Sequence, residues 1–183
     1  MKHQKLCSLV FLAAVVQTLA MCCLAQPPSP SEIAVPADSD VAITLERTPC
    51  FGSCPVYKIT IYKDGLVRYD GIMWVKVKGE QVGRISTDSL SGLIQEFCEA
   101  NYFDFKDRYT EGPTDLPTTI TSLTINRKTK VAVDYDDAPE SLRRLESEID
   151  DVAVTEQWTG VKATQRRFDS LWNAGERFGT PKR

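Results

Sequence analysis

Two cysteines in a short loop are the residues of this chain whose type and spacing most directly suggest chemistry. Cys50 and Cys54 lie in the run Thr-Pro-Cys-Phe-Gly-Ser-Cys-Pro-Val-Tyr, residues 48–57, between two segments with strand-like sequence. Three interpretations fit this loop: a structural disulfide, a redox-active dithiol, and a metal site that also uses Cys98.

The disulfide is the interpretation that the surrounding sequence favours. Gly52 lets so short a loop fold back, and closing it stabilises the fold by roughly 2 kcal/mol in the chain-entropy model. Dithiols of the thioredoxin type place their two cysteines closer together, at a helix N-terminus. A metal site here would lack histidine, and Cys98 falls on an apolar helical stripe, where cysteine is most simply a small buried residue. We therefore predict a Cys50–Cys54 disulfide, a buried Cys98, no metal site and no cofactor.

A second set of candidate residues lies in the aromatic and acidic segment 101–117. Long loops carry function more often than other segments, and paired carboxylates are the acid/base groups of glycoside hydrolases. Alternatively, the acidic residues are simply solvated, and the aromatic residues, above all Phe103 and Phe105, pack into the core. The side chains of this loop that we consider ligand-facing are Tyr102, Asp104, Asp107, Tyr109 and Asp115.

A third set of candidate residues is the acidic cluster of residues 134–137 with Glu140, which offers oxygen ligands of the kind that Ca²⁺ prefers. It lacks the glycine and the ligand spacing of an EF-hand loop. We interpret it as a polar junction between a strand and a helix, with Asp137 as the helix N-cap. The basic pair Arg143-Arg144 stands among acidic residues, which include Glu146, and is typical of a solvated helix face.

The first 25 residues have the layout of a secretory signal peptide. Two lysines precede an apolar run over residues 6–20, and small residues occupy the −3 and −1 positions of a cleavage site after Ala25. An uncleaved anchor is the alternative, although the run is close to the lower length limit for crossing a bilayer. A lipid anchor at Cys22 is a further alternative, but Met21 stands where a lipobox has a small residue. We predict export to the periplasm or the medium, with no membrane span after cleavage.

Cleavage would remove His3, the only histidine of the 183-residue chain. The exported protein would then lack the usual Ser-His-Asp and Cys-His nucleophile systems and every His-ligated metal site. Its formal charge would change from −3 to −5, because residues 1–25 contain two lysines and no acidic residue. Nucleic-acid binding needs clustered positive charge, so we expect no nucleic-acid partner.

The hydrophobic pattern predicts how these residues are positioned. Residues 26–40 hold four of the ten prolines and are typical of a disordered linker, followed by one domain over 41–175 and a tail over 176–183. Asp64-Gly65 predicts a tight hairpin turn. Period-two alternation predicts strands, and period 3.6 predicts helices at 87–100, after Pro139 and around 168–172. The predicted strands are 41–47, 56–62, 66–71, 73–79, 82–86, 119–126 and 130–135. The fold class is α+β, with a mostly antiparallel sheet of about six to seven strands and two to three helices.

The cysteine loop also carries a family resemblance. Residues 47–57, followed by Ile-Thr-Ile-Tyr and Asp64-Gly65, resemble the opening of a bacterial exported domain-of-unknown-function family with a Pro-Cys-Phe-Gly-x-Cys-Pro-x-Tyr motif. The resemblance covers roughly residues 42–158. Its weaker matches are Gly83, Tyr102-Phe103, Asp115, Pro117-Thr118, Ile149-Asp150 and Trp158.

The resemblance implies export and supplies no activity and no catalytic residue. We therefore expect an exported, non-catalytic domain that binds a protein or glycan of the bacterial envelope, and we do not expect an enzyme. The alternatives are a carboxylate-dependent hydrolase and a thiol-disulfide active protein that uses Cys50 and Cys54.

Overall fold

A seven-stranded sheet with helices on one face forms the part of the chain that the computed structural model describes, residues 37, 40–110 and 116–162. This arrangement confirms the predicted α+β class. The strands are β1 Val41–Arg47, β2 Val56–Tyr62, β3 Leu66–Met73, β4 Gly79–Arg84, β5 Arg108–Thr110, β6 Thr119–Ile125 and β7 Lys128–Asp136. The helices are α1 Thr87–Glu99, α2 Glu140–Val152 and the short α3 Glu156–Thr159, with a 3₁₀ turn over Tyr102–Asp104.

The strand order across the sheet is β4-β3-β2-β1-β6-β7-β5. Every neighbouring pair is antiparallel except β5 and β7, which are parallel. The predicted hairpin at Asp64-Gly65 joins β2 to β3, and Gly65 has a φ of +81°. A Cβ there would lie 2.5 Å from the Ile85 carbonyl oxygen, so both the backbone conformation and the space require glycine.

Strand alternation separates a core face of the sheet from an open face. Leu45, Ile59 and Tyr69 are successive cross-strand partners on β1, β2 and β3, and all three are fully buried. Each such side chain contributes about 1.5–3 kcal/mol by leaving water. The helical residues that join this core are Leu90, Leu93 and Phe97 of α1 and Leu142, Leu145 and Ile149 of α2.

The structure corrects the predicted strand at 73–79. β3 continues to Met73, and Trp74 then adopts a positive φ of 56°, which ends the extended backbone. The backbone amides of Lys76 and Val77 donate to Thr159 and Trp158 of α3, at 3.2 and 2.8 Å. The alternating valines and lysines therefore reflect packing against α3 and not pairing within the sheet.

One prediction about the helices is wrong, and one helix was not predicted. Helix α2 begins after Pro139, which occupies the N-cap position, whereas Asp137 has a positive φ of 65° and does not cap it. Helix α3 was not predicted, because its four residues are too short for a periodic signal. The predicted helix around 168–172 and most of the predicted linker 26–40 lie outside the described residues.

Two glycines provide a test of this packing. A Cβ at Gly71 in β3 would lie 2.2 Å from the Val77 carbonyl oxygen, whereas a Cβ at Gly92 in α1 would meet nothing within 4 Å. We predict that Gly71→Ala lowers the free energy of unfolding by about 1–3 kcal/mol. Gly92→Ala should raise it by about 0.5–1 kcal/mol, because alanine favours the helix. Urea denaturation measures both, and equal effects would contradict the described path of residues 74–78.

Candidate functional site

The Cys50–Cys54 disulfide closes the loop between β1 and β2, with the two Cα atoms 5.8 Å apart. The start of this loop is fixed by Thr48, whose amide donates to the Thr118 carbonyl and whose hydroxyl accepts from the Thr118 amide, both at 2.9 Å. Phe51, within the ring, is 79% exposed. The disulfide thus presents an aromatic side chain to solvent on a short, covalently closed loop.

A second exposed apolar segment lies at the same end of the sheet. Ile72, Met73 and Trp74 are 53%, 38% and 56% exposed. Met73 is the cross-strand partner of Val56, the first residue of β2, which follows the disulfide loop directly. We call Phe51, Ile72, Met73 and Trp74 the apolar tip.

The backbone that follows the apolar tip is held against α3. Besides the two amide bonds to α3, the Tyr69 hydroxyl donates to the Val77 carbonyl at 3.2 Å. Trp158 of α3 stacks on the Tyr69 ring, with a centroid separation of 5.0 Å. The apolar tip therefore extends from a packed base.

Below the apolar tip, polar side chains replace apolar ones in a row on the core face. Tyr57, Arg47, Thr119 and Asp134 are successive cross-strand partners on β2, β1, β6 and β7. The Arg47 guanidinium donates to the Tyr57 hydroxyl at 3.0 Å and to the Thr119 hydroxyl at 3.1 Å. This row meets the C-terminal half of α2.

Asp150 of α2 is the acceptor on which the polar row converges. Its Oδ2 accepts from Arg47 Nη2 at 2.8 Å, and its Oδ1 accepts from the hydroxyls of Tyr57 at 2.6 Å and Thr155 at 2.8 Å. Burial lowers the pKa of Arg47, but the charge of Asp150, together with smaller contributions from Tyr57 and Glu146 and the hydrogen bond to Asp150, raises that pKa overall. The guanidinium is therefore permanently charged, and the carboxylate that faces it is fully hydrogen-bonded.

Glu146, one turn before Asp150, lies in the same buried region and is only 4% exposed. Burial raises the pKa of Glu146 to about 8, against the opposing charge of Arg47. Burial also raises the pKa of Asp134. The charge of Arg143, whose Nε lies 3.3 Å from Asp134 Oδ2, partly opposes that rise. Glu146 Oε1 and Asp134 Oδ1 have no hydrogen-bond partner among the described residues. We call Arg47, Tyr57, Asp134, Glu146 and Asp150 the buried polar network.

The network corrects one interpretation of the sequence and adds a feature that the sequence analysis did not predict. Arg143 does not lie on a solvated helix face with Glu146, because Arg143 pairs with Asp134 and Asp136 while Glu146 is buried. The network itself was missed, although a signal for it exists in the sequence. Its two acidic residues on α2 continue the periodic stripe of buried positions 142, 145, 146, 149 and 150.

The loop residues considered ligand-facing do not share one environment. Tyr102 is buried, and its hydroxyl donates to the Thr121 carbonyl at 2.7 Å, so it packs in the core. Asp107 forms an ion pair with Lys130, and this hydrogen bond lowers the pKa of Asp107. Tyr109 is half-buried and accepts from the Lys106 amide at 3.1 Å, while Asp104 is exposed. Asp115 lies outside the described residues.

Cys98 is exposed on α1 and carries a free thiol, contrary to the prediction that it is buried. The apolar stripe of α1 ends at Phe97, and the next residue turns toward solvent. Within residues 40–110 and 116–162, no group of three or more His, Cys, Asp or Glu side chains is arranged to hold a metal ion. None of the helices in these ranges is long and apolar enough to cross a membrane.

The open face of the sheet carries a shallow polar depression of about 280 Å³. It lies across β1, β2 and β3 and does not involve the 101–110 segment. Its lining residues are Val41, Thr44, Lys58, Thr60, Tyr62, Arg68 and Asp70. Opposite charges lie side by side there, since Lys58 is the cross-strand partner of Asp70 and Arg68 pairs with Glu80.

A seven-stranded sheet with a disulfide-closed loop and a buried polar network defines an α+β domain. Residues 41–153 match the family described as domain of unknown function DUF6438, and the chain belongs to that family. The match begins at β1 and ends just after α2, so it contains both the disulfide loop and the network. No curated protein matches the chain.

The disulfide and the exposed thiol make a joint prediction. The chain beyond Ala25 contains three cysteines, Cys50, Cys54 and Cys98. We predict that protein purified from Gln26 onward reacts with one equivalent of a thiol reagent under native conditions and with three after reduction and unfolding, by mass spectrometry. Cys50→Ser with Cys54→Ser should lower the free energy of unfolding by roughly 2 kcal/mol, whereas Cys98→Ser should leave it unchanged. Three reactive thiols without reductant would contradict the bridge.

Glu146 makes a prediction about pH. Its folded-state pKa, about 8, lies above the ordinary value of 4.5, so the folded protein binds the extra proton. Stability is therefore complete at low pH and falls as the pH rises from the unfolded pKa through the folded one. We predict that the free energy of unfolding of Glu146→Gln, measured relative to that of the wild type, rises by on the order of 2 kcal/mol between pH 6 and pH 8. Urea denaturation at both pH values tests this, with the exposed Glu156→Gln as the control, and parallel pH profiles of Glu146→Gln and the wild type would contradict it.

Proposed function

We propose that this protein is an exported component of the bacterial envelope whose DUF6438 domain is a non-catalytic binding module. The apolar tip is its contact surface. The observation that carries this proposal is the exposure of four large apolar side chains at one end of the sheet. Clustered exposed apolar residues on a soluble domain are typical of interaction sites, whereas single exposed ones are common and need no explanation.

The base of the apolar tip supports a binding role. The disulfide closes one of its two segments, and α3 holds the backbone after the other. Segments that are ordered before binding lose little conformational entropy when a partner arrives. A fixed base therefore makes even a small apolar surface effective in binding.

Several of the candidate reactive groups are already engaged, which supports binding over catalysis. Cys50 and Cys54 form a disulfide, and Asp107 is paired with Lys130. The Asp150 carboxylate is buried under Arg47, Tyr57 and Thr155, where substrate has no access. A disulfide also fits an oxidising compartment, which supports export.

Fractionation of cells that produce the full chain tests the proposal. Every variant carries Cys22→Ser, so that a lipid anchor cannot retain the protein, and N-terminal sequencing identifies the exported form. We predict a mature N-terminus at Gln26 and retention in the envelope fraction. The double variant Met73→Ser with Trp74→Ser should shift most of the protein to the soluble fraction.

The matched control is Val82→Ser with Val131→Ser, two apolar residues that are 41% and 44% exposed on strands away from the apolar tip. This control should remain in the envelope fraction. A wild-type protein that stays in the cytoplasm with Met1 in place would overturn export. Equal retention of the tip variant and the control would overturn the assignment of the contact surface.

A further inference from the structure

We propose that the partner of the apolar tip is the surface of an anionic phospholipid bilayer, an inference that rests on the proposed function. The first argument is charge. Residues 71–79, Gly-Ile-Met-Trp-Val-Lys-Val-Lys-Gly, contain two lysines and no acidic residue, in a chain whose formal charge is −3. Lys76 and Lys78 are both exposed.

The acidic residues nearest to this segment in sequence lie on the sheet beside basic side chains. Glu80 forms an ion pair with Arg68, and Asp70 lies between Glu80 and Lys58, its two cross-strand partners. Local positive charge next to exposed apolar side chains therefore contrasts with the overall negative charge of the chain. Anionic lipid headgroups attract lysines close to a membrane surface.

The second argument is the combination of side-chain types. Tryptophan is enriched at membrane–water interfaces, where its ring lies at headgroup level. Phe51, Ile72 and Met73 supply the purely apolar part, and lysines bury their methylene stems while their ammonium groups remain in water. Trp74 followed by Lys76 and Lys78 thus has an apolar end and a cationic border, as interfacial segments do.

The third argument is size. A standard protein–protein interface buries about 800 Å² on each partner. A fully exposed aromatic side chain offers about 150–250 Å², and three of the four tip residues are only 38–56% exposed. The apolar tip is therefore too small for a standard interface by itself. A fluid bilayer has no such minimum, because lipids conform to whatever apolar area enters.

Flotation with lipid vesicles tests the inference, using the protein purified in its exported form. The probes are vesicles of phosphatidylglycerol with phosphatidylethanolamine, and vesicles of phosphatidylcholine. We expect the wild type to bind the anionic vesicles at least about tenfold more strongly, and increasing salt should weaken that binding. Brominated lipids should quench Trp74, as judged by the difference between the wild type and Trp74→Phe.

Two variants separate the apolar from the electrostatic contribution. Met73→Ser with Trp74→Ser should weaken binding to both vesicle types by about tenfold or more, and Lys76→Glu with Lys78→Glu should remove the preference for anionic lipid. The controls Val131→Ser and Arg127→Glu, the latter in the β6–β7 turn at the opposite end of the sheet, should bind like the wild type.

Failure of this inference differs from failure of the proposed function. Absent wild-type binding to anionic vesicles, or equal binding by the tip variants and the controls, overturns the lipid partner. If the apolar tip still determines retention in the envelope fraction, the domain remains a binding module and its partner is a protein or glycan. If the apolar tip determines neither vesicle binding nor retention in the envelope fraction, both proposals are overturned.

Discussion

The ion pair between Arg47 and Asp150 is the interaction on which the rest of this structure depends. It joins the end of the first strand to the end of α2, across 103 residues of sequence. A buried ion pair is costly to desolvate, and removing one partner leaves an uncompensated charge. Here Tyr57, Thr119 and Thr155 satisfy the remaining donors and acceptors of the pair. The geometry is therefore specific: α2 has one position along the sheet at which this carboxylate is satisfied.

A short series of hydrogen bonds connects this position of α2 to the backbone next to the apolar tip. The Thr155 hydroxyl donates to Asp150, and its amide donates to the Asp150 carbonyl, so the pair fixes the residue from which α3 begins. Helix α3 in turn accepts the backbone amides of Lys76 and Val77, which follow the tip. Since Arg47 also immediately precedes the disulfide loop, one buried pair sets the base of both exposed segments. The polar groups in the core thus position the apolar groups that are exposed at the tip.

The sequence predicts the parts of this arrangement that depend on local pattern. Period two in residues 41–47 and 56–62 predicts β1 and β2 with their bounds, and Asp64-Gly65 predicts the turn after them. The same alternation wrongly predicts a strand over residues 73–79, because the spacing of apolar residues carries no information about the positive φ of Trp74. The pairing of Arg47 with Asp150 is a long-range fact that no local pattern contains. Cys98 shows the same limit, because the helical period places it on the apolar stripe, whereas in the structure the buried stripe of α1 ends at Phe97 and Cys98 is exposed.

Glu146 shows why the buried polar network favours a structural role over chemistry. Arg47 and Arg143 supply two positive charges, and Asp150 and Asp134 supply two negative ones. Burial away from water is the largest reason that the pKa of Glu146 is raised; the negative charges of Asp134 and Asp150 add to that effect, and Arg47 and Arg143 oppose it. Raised carboxyl pKa values also occur at catalytic acids, but a catalytic acid must reach its substrate. Glu146 lies on the buried side of α2, and only 4% of its surface is exposed.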